Sequence, residues 1–147
     1  MLRTFPLILI TVILYNFMVF GGVVVHYFEP HHVLNLQPFL ASGVPIPLVS
    51  GDTWTFTISD LLLLATFVLL FVEIIKATRT TSREIINHAL SMITFVLALL
   101  EFIALKGFAT SAFFFIMVMA LFDVVAGYTI SIVAAEHDLG MGRAGTD

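Results

Sequence analysis

Long apolar stretches alternate with short polar connections along the chain, and this pattern predicts four membrane-spanning helices. The stretches cover about residues 5–25, 59–78, 86–106 and 112–133. Each has close to the roughly 20 apolar residues that a helix needs to cross a hydrocarbon core of about 30 Å. We therefore predict a single all-α integral membrane domain over residues 1–147, folded as a four-span antiparallel bundle.

The first stretch begins like a secretion signal, because Arg3 precedes its apolar run. That run is longer than the roughly 7–15 residues of a signal core, and no small-x-small cleavage pattern follows it. We therefore expect the first stretch to be a retained membrane helix.

The connections between the predicted spans differ in length and restrict the topology. Residues 78–85 and 106–111 form short connections, which force antiparallel neighbours. Residues 27–58 form a long connection between the first two spans, and residues 136–147 form a tail after the fourth. Spans two, three and four are therefore expected to form a tight meander.

The positions of the basic residues predict the orientation in the membrane. Lys106 lies on one side, and the other five lie on the opposite side at Arg3, Lys76, Arg79, Arg83 and Arg143. Because loops rich in Lys and Arg remain in the cytoplasm, we expect both termini there. The long connection is then exterior, in a multi-pass protein of a bacterial inner (plasma) membrane.

The long exterior connection carries the pattern of a small β-hairpin. Pro45 and Pro47 favour an extended segment and confine it to a sheet edge. A Ser-Gly-Asp turn signal follows at residues 50–52, and residues 53–58 alternate polar and apolar with period two.

The predicted hairpin presents an apolar face formed by Trp54, Phe56 and Ile58. Such a face either lies in the lipid interface as an aromatic anchor or docks on another protein. We favour a partner protein, because Pro45 and Pro47 stiffen the segment and a plain anchor needs no turn.

Small and polar residues recur at helical spacing within the spans and predict which faces turn inwards. Small residues at such spacings let helices approach closely, and polar groups can bond across the gap. The predicted packing positions on the third and fourth spans are Ser91, Ala98, Gly127, Ser131 and Ala135. The opposite faces carry large apolar residues, and residues 113–115, all Phe, are expected to face lipid or the interface.

Six polar or acidic residues inside the predicted spans are candidates for an intramembrane polar layer or a proton path. At a rise of 1.5 Å per residue, four of them fall within about 3 Å of the span midpoints and form a candidate central layer. These four are Asn16, Thr66, Thr94 and Asp123. Glu101 is expected roughly 7–8 Å to the exterior side of the midpoint and Glu73 a similar distance to the cytoplasmic side.

These carboxyl groups support two interpretations. A carboxyl group in apolar surroundings can exchange protons near neutral pH, so Asp123, Glu73 and Glu101 could form a proton or cation path. Alternatively, Asp123 is protonated and holds helices together while the glutamates are paired. The partners predicted on this second interpretation are Asn16 or Thr94 for Asp123, Lys76 or His88 for Glu73, and Lys106 for Glu101. We favour the structural interpretation.

A group of histidines lies near the end of the first span. His26, His31 and His32, with Glu29, are weak candidates for a metal site, since imidazole and carboxylate suit zinc or copper. They could equally bind a quinone head group. Because adjacent histidines cannot easily share one ion, we predict no metal and no cofactor.

Composition excludes several functions. Hydrophobic residues make up 60% of the chain, against roughly 45–50% in a soluble domain. The absence of cysteine excludes disulfides, thiolate metal sites and cysteine nucleophiles. The chain has no basic cluster suited to nucleic acid and no catalytic signature, so we expect no enzymatic activity.

The sequence thus predicts a small accessory or structural subunit of a bacterial membrane assembly. Its expected partners are the lipid bilayer and other membrane subunits, or further copies of itself. The alternative is a small proton-coupled or cation-conducting transporter that uses Asp123 with Glu73 and Glu101.

Overall fold

The computed structural model describes residues 5–28, 36–78 and 84–143, without the side chains of residues 22–28, 84–85 and 134–143. Within these ranges the chain is mostly helical. Its elements, in order, are α1 (Ile8–Phe28), α2 (Leu36–Ala41), β1 (Gly43–Pro47), β2 (Thr53–Thr57), α3 (Ile58–Ala77), α4 (Glu84–Ala104) and α5 (Ser111–Arg143).

Three helices are long and apolar enough to cross a membrane. Their spanning segments are Ile58–Ala77, Ile86–Ala104 and Ser111–Val133. The described apolar part of α1, Ile8–Gly21, is shorter. The prediction of a helical membrane protein is therefore confirmed, whereas the fourth span remains a prediction.

The start of α3 corrects the predicted hairpin boundary. Thr57 caps the helix: its hydroxyl oxygen accepts the Asp60 N–H at 3.1 Å, and the Asp60 carboxylate accepts the Thr57 N–H at 2.8 Å. This reciprocal capping box satisfies two of the N–H groups that a helix start leaves unpaired. Ile58 therefore begins α3 and packs against the core, rather than extending the apolar face of the hairpin.

The turn between α4 and α5 is fixed by Gly107 and Thr110. Gly107 has φ +93°, a backbone conformation that favours glycine. The Thr110 hydroxyl accepts the Phe113 N–H at 3.1 Å and so caps α5. The Tyr15 hydroxyl on α1 lies 2.6 Å from Thr110 Oγ1, which ties α1 to this turn.

The helix α5 continues ten residues beyond the predicted end of the fourth span at residue 133, to Arg143. Most of the predicted tail, residues 136–147, is therefore helical. Helix formers such as Ala134, Glu136 and Leu139 continue the pattern, and glycine in a helix costs only about 1 kcal/mol relative to alanine.

The apolar core fills the half of the bundle next to the α4–α5 turn. Tyr15, Phe108 and Phe113 form its aromatic centre, with ring centroids between 4.7 and 5.6 Å apart. The buried members of this core are Val12, Tyr15, Val19, Leu40, Leu62, Ala98, Phe108, Ala112, Phe113, Ile116 and Met117. The short helix α2, which the sequence did not predict, contributes Leu40 and covers this end.

One residue of the Phe run at 113–115 departs from expectation. Phe113 is fully buried, so the prediction that it faces lipid was wrong, whereas Phe114 and Phe115 are exposed. The cause is helical phase, because Phe113 lies on the same stripe of α5 as Ile116 and Ala120.

The strands β1 and β2 pair antiparallel in the segment where the sequence predicts a hairpin. Val44 pairs with Phe56 and Ile46 pairs with Trp54. Paired residues point to the same side, and alternate residues along each strand share a face. These four side chains, which we call the hairpin face, therefore lie together.

Candidate functional site

A buried group of polar side chains occupies the half of the bundle opposite the aromatic core. We define the polar cluster as Glu73 and Lys76 on α3, Asn87 and Ser91 on α4, and Asp123 on α5. All except Lys76 are buried.

Glu73 is the centre of the polar cluster and is only 1% exposed. Its carboxylate accepts hydrogen bonds from the Leu7 N–H at 3.1 Å and from Asn87 Nδ2 at 2.6 Å. Leu7 immediately precedes α1, and backbone N–H groups at a helix start need such acceptors. One carboxylate thus joins α1, α3 and α4.

Lys76 balances the charge of Glu73. Its Nζ lies 3.0 Å from both carboxylate oxygens and also donates to the Phe5 carbonyl oxygen at 3.1 Å. The pairing predicted from the i, i+3 spacing is therefore present. Lys76 is 24% exposed, so its charge lies at the edge of the bundle rather than in its interior.

Two oxygen atoms of the polar cluster have no hydrogen-bond partner. They are Asn87 Oδ1 and Ser91 Oγ, and both are inaccessible to solvent. Both residues lie on the inward face of α4, one helical turn apart. Buried polar atoms are rarely left unpaired, so each calls for a ligand, a water or a rotated partner.

Asp123 lies beside these unpaired atoms and is 5% exposed. It faces Ser91 on α4 and is within electrostatic reach of Glu73 and Lys76 on α3. Ser91 Oγ approaches the carboxyl group without meeting hydrogen-bond geometry. The expected bond from Asn16 or Thr94 to Asp123 is not among the bonds of the described side chains.

His88 and Gly127 join α4 to α5 next to the polar cluster. His88 Nε2 lies 2.8 Å from Ser131 Oγ, and its ring packs against Tyr128 with centroids 5.6 Å apart. A Cβ atom added to Gly127 would overlap His88 Nδ1. The absence of a side chain at Gly127 therefore leaves the space that one edge of the His88 ring occupies.

A second polar contact joins α1 to α4. Asn16 Nδ2 donates to both carboxylate oxygens of Glu101, at 3.0 and 3.1 Å, and also to the Val12 carbonyl oxygen at 3.0 Å. Within the described part of the chain, Lys106 forms no ion pair with Glu101. Asn16 and Glu101 are half-buried, so this contact lies closer to the surface than the polar cluster does.

The four residues of the predicted central layer do not bond to one another. Thr66 and Thr94 donate to the carbonyl oxygens of Leu62 and Leu90, each within its own helix. A hydroxyl group in a helix commonly satisfies itself in this way, which spacing alone does not reveal. Thr66 and Thr94 remain buried on the inward faces, so the prediction of their helical phase was correct.

Four of the five predicted packing positions lie among the residues whose side chains are described. Ser91, Ala98 and Gly127 are buried, and Ser131 is half-buried. Ala135 lies within α5, where side chains are not described.

The predicted histidine group lies largely outside the residues that the structure describes. His31 and His32 lie outside the described residues, and His26 lies in the part of α1 without described side chains. Among the residues that are described, no group of three or more metal-ligating side chains occurs.

Asn87 is the member of the polar cluster whose partner sequence reasoning missed. Asn87 lies four residues before Ser91, a predicted packing position of the third span, and therefore shares its inward face, whereas Glu73 lies on the second span. Since the two helices are joined by a short connection, residues 14 positions apart on facing stripes are candidates for contact.

Comparison of the chain with protein-family models, curated proteins and solved structures finds no significant match.

Proposed function

We propose that the protein is a small accessory or structural subunit of a bacterial membrane assembly, built of several copies or several kinds of chain. The observation that carries this proposal is the exposed hairpin face. Val44 is 66% exposed and Trp54 is 49% exposed, although both are large apolar side chains. Exposed apolar surfaces of this kind mark interaction sites.

The hairpin is held firmly enough to act as a docking element. Its strand β2 runs into α3 without an intervening residue, and the Thr57 capping box fixes this junction. The Ile58 N–H also donates to the Ser42 carbonyl oxygen at 2.9 Å, which ties the start of β1 to the start of α3. A rigid face loses little conformational entropy when it binds, which favours affinity.

The proposal includes four spans with both termini in the cytoplasm of a bacterial inner membrane. The backbone of α1 is helical for 21 residues, and at 1.5 Å per residue this gives about 30 Å, the thickness of a hydrocarbon core. The distribution of basic residues supports the orientation. The hairpin and its Pro45 and Pro47 are then exterior.

The interior contacts agree with a structural role. Glu73 is occupied by three donors, and Glu101 is occupied by Asn16. Carboxylates that hold helices together through several hydrogen bonds are poorly suited to open and close an ion path.

Removing the apolar side chains of the hairpin face should release the partner. We expect the wild-type chain, purified in mild detergent from its native membrane, to retain another membrane protein in fixed stoichiometry, or to form a homo-oligomer. In the double variant Val44→Ser, Trp54→Ser, the amount of bound partner per purified chain should fall by about tenfold or more, because two large apolar side chains no longer bury their surface. The measurement is the ratio of the bound protein to the purified chain.

Val49→Ser is the matched control, since Val49 is fully exposed in the hairpin turn and does not belong to the hairpin face. It should retain the wild-type stoichiometry. A monodisperse wild-type monomer without partner, or equal retention by all three chains, would contradict the proposal.

A second candidate function is a small proton-coupled or cation-conducting transporter centred on Asp123, with Glu73 and Glu101 as gates. The observation that favours it is the presence of two unpaired buried oxygen atoms beside a buried carboxyl group. Intramembrane acidic residues often mark ion pathways.

Proteoliposome flux tests this second function. If the protein conducts protons or cations, wild-type chain should relax an imposed ion gradient, and Asp123→Asn should abolish the flux. The control is Asp52→Asn, because Asp52 lies exposed in the hairpin turn. Absence of flux in the wild type, or undiminished flux in Asp123→Asn, excludes the transporter.

A further inference from the structure

The two unpaired oxygen atoms of the polar cluster lie between the carboxyl groups of Asp123 and Glu73. Asp123 on α5 faces Ser91, Ser91 lies one turn from Asn87 on the same face of α4, and Asn87 donates to Glu73 on α3. Ser91 Oγ and Asn87 Oδ1 are the two atoms without partners.

Counting donors and acceptors assigns a direction to this series. Asn87 Nδ2 donates to Glu73, so the other end of the amide is Oδ1, which as a carbonyl oxygen can only accept. The Ser91 hydroxyl has a single proton, which it can donate to Asn87 Oδ1, directly or through one water, while its oxygen accepts a hydrogen bond from a neighbouring donor. Asp123 can supply that hydrogen bond only if its carboxyl group carries a proton.

The charged and titratable groups on the helices around Asp123 are already engaged with other partners. On α3, Glu73 and Lys76 already form a balanced pair. On α4, His88 Nε2 lies at hydrogen-bond distance from Ser131 Oγ, and the His88 ring packs on Gly127, which is one turn from Asp123 along α5. On α1, Tyr15 is directed to Thr110 at the other end of the bundle. An ionised Asp123 would therefore place a second, unbalanced negative charge beside Glu73 in a buried site.

We propose that Asp123 is a proton-binding site, and that its carboxyl group donates to Ser91, which donates to Asn87, which donates to Glu73. This series of hydrogen bonds connects α5, α4 and α3, and it gives both unpaired oxygen atoms a hydrogen-bond partner. It does not depend on the docking proposal, because none of its members lies in the hairpin.

Loss of the proton from Asp123 would affect Glu73, at the other end of this series of hydrogen bonds. An ionised Asp123 can only accept, so the Ser91 hydroxyl turns towards it and Asn87 Oδ1 loses its donor. Asn87 is one of the groups that hold the Glu73 carboxylate against the Leu7 N–H. Proton release at Asp123 is thereby linked to the contact that holds the start of α1.

Infrared spectroscopy of the full chain in lipid nanodiscs tests this site without any transport assay. At neutral pH we expect a protonated-carboxyl C=O band that Asp123→Asn removes. Ser91→Ala should shift this band to higher wavenumber, because the carboxyl group loses its hydrogen bond. Asn87→Ala should give a smaller shift in the same direction. Thr94→Ala is the control and should leave the band unchanged, because Thr94 bonds within its own helix.

Three results would overturn the proposal. The first is the absence of a carboxyl band that depends on Asp123. The second is a band that Ser91→Ala leaves unchanged, which would remove Ser91 from the chain. The third is a band that disappears when sodium chloride replaces choline chloride at constant pH, since a metal cation would then hold the site in place of the proton.

Discussion

Replacing Glu73 by alanine should lower the free energy of unfolding by about 2–3 kcal/mol. Breaking a buried charged pair costs about 3–5 kcal/mol when the remaining charge stays buried. Lys76 is 24% exposed and can turn its amino group towards water, which reduces the cost. The loss of the acceptor for Leu7 and Asn87 remains. Unfolding in mixed micelles with increasing SDS, followed by circular dichroism, measures the change.

The control for this prediction is Val72→Ala on the neighbouring exposed position of α3. Substitutions at such surface positions usually change stability by less than about 0.5 kcal/mol. Glu73→Gln should fall between the two, because it keeps an acceptor for Asn87 and loses the charge. A Glu73→Ala variant as stable as Val72→Ala would mean that Glu73 does not tie α1, α3 and α4 together.

Replacing Gly127 by alanine should destabilise the contact between α4 and α5 by about 1–3 kcal/mol. The added methyl group would overlap Nδ1 of the buried His88 ring and lie 2.6 Å from its Cε1. Inserting a methyl group into a filled space forces side chains from their rotamers and moves the backbone. We also expect the His88–Ser131 hydrogen bond to be lost. The same SDS titration measures the change.

A second substitution distinguishes a steric cause from a general effect of the mutation. His88→Ala opens the space that the new methyl group needs, so the double variant should be less destabilised than the sum of the two single variants. Gly21→Ala is the matched control, because an added Cβ meets no atom within 4 Å. Additive effects of Gly127→Ala and His88→Ala would contradict the contact between them.

The sequence was sufficient to predict the helices and most of their inward faces. Apolar runs located α3, α4 and α5, and helical spacing correctly placed Thr66, Thr94 and Asp123 on buried faces. These features depend on local periodicity, which a single sequence carries.

Partners across helices were harder to predict, because they depend on the relative height and rotation of two helices. Depth along the span placed Asn16 level with Asp123, but Asn16 bonds to Glu101. Glu73 was correctly paired with Lys76, since both lie on one helix at a fixed spacing. The Asn87 contact required knowledge of how α3 and α4 face each other.

The boundary between the hairpin and α3 shows a competition between two local signals. Alternation of polar and apolar residues extended the strand to Ile58. The capping pair of Thr57 and Asp60, which is also visible in the sequence, ended it one residue earlier. The consequence for function is that the hairpin is anchored directly to α3.

Photo-crosslinking in living cells tests most directly whether the hairpin face docks on a partner. A photo-reactive phenylalanine analogue is introduced in place of Trp54, and in a separate strain in place of Val49 as the control. We predict that the Trp54 position forms an adduct of defined mass with one membrane protein or with a second copy of the chain, and that the Val49 position does not. Adducts with lipid alone at the Trp54 position, or equal protein adducts at both positions, would contradict the account.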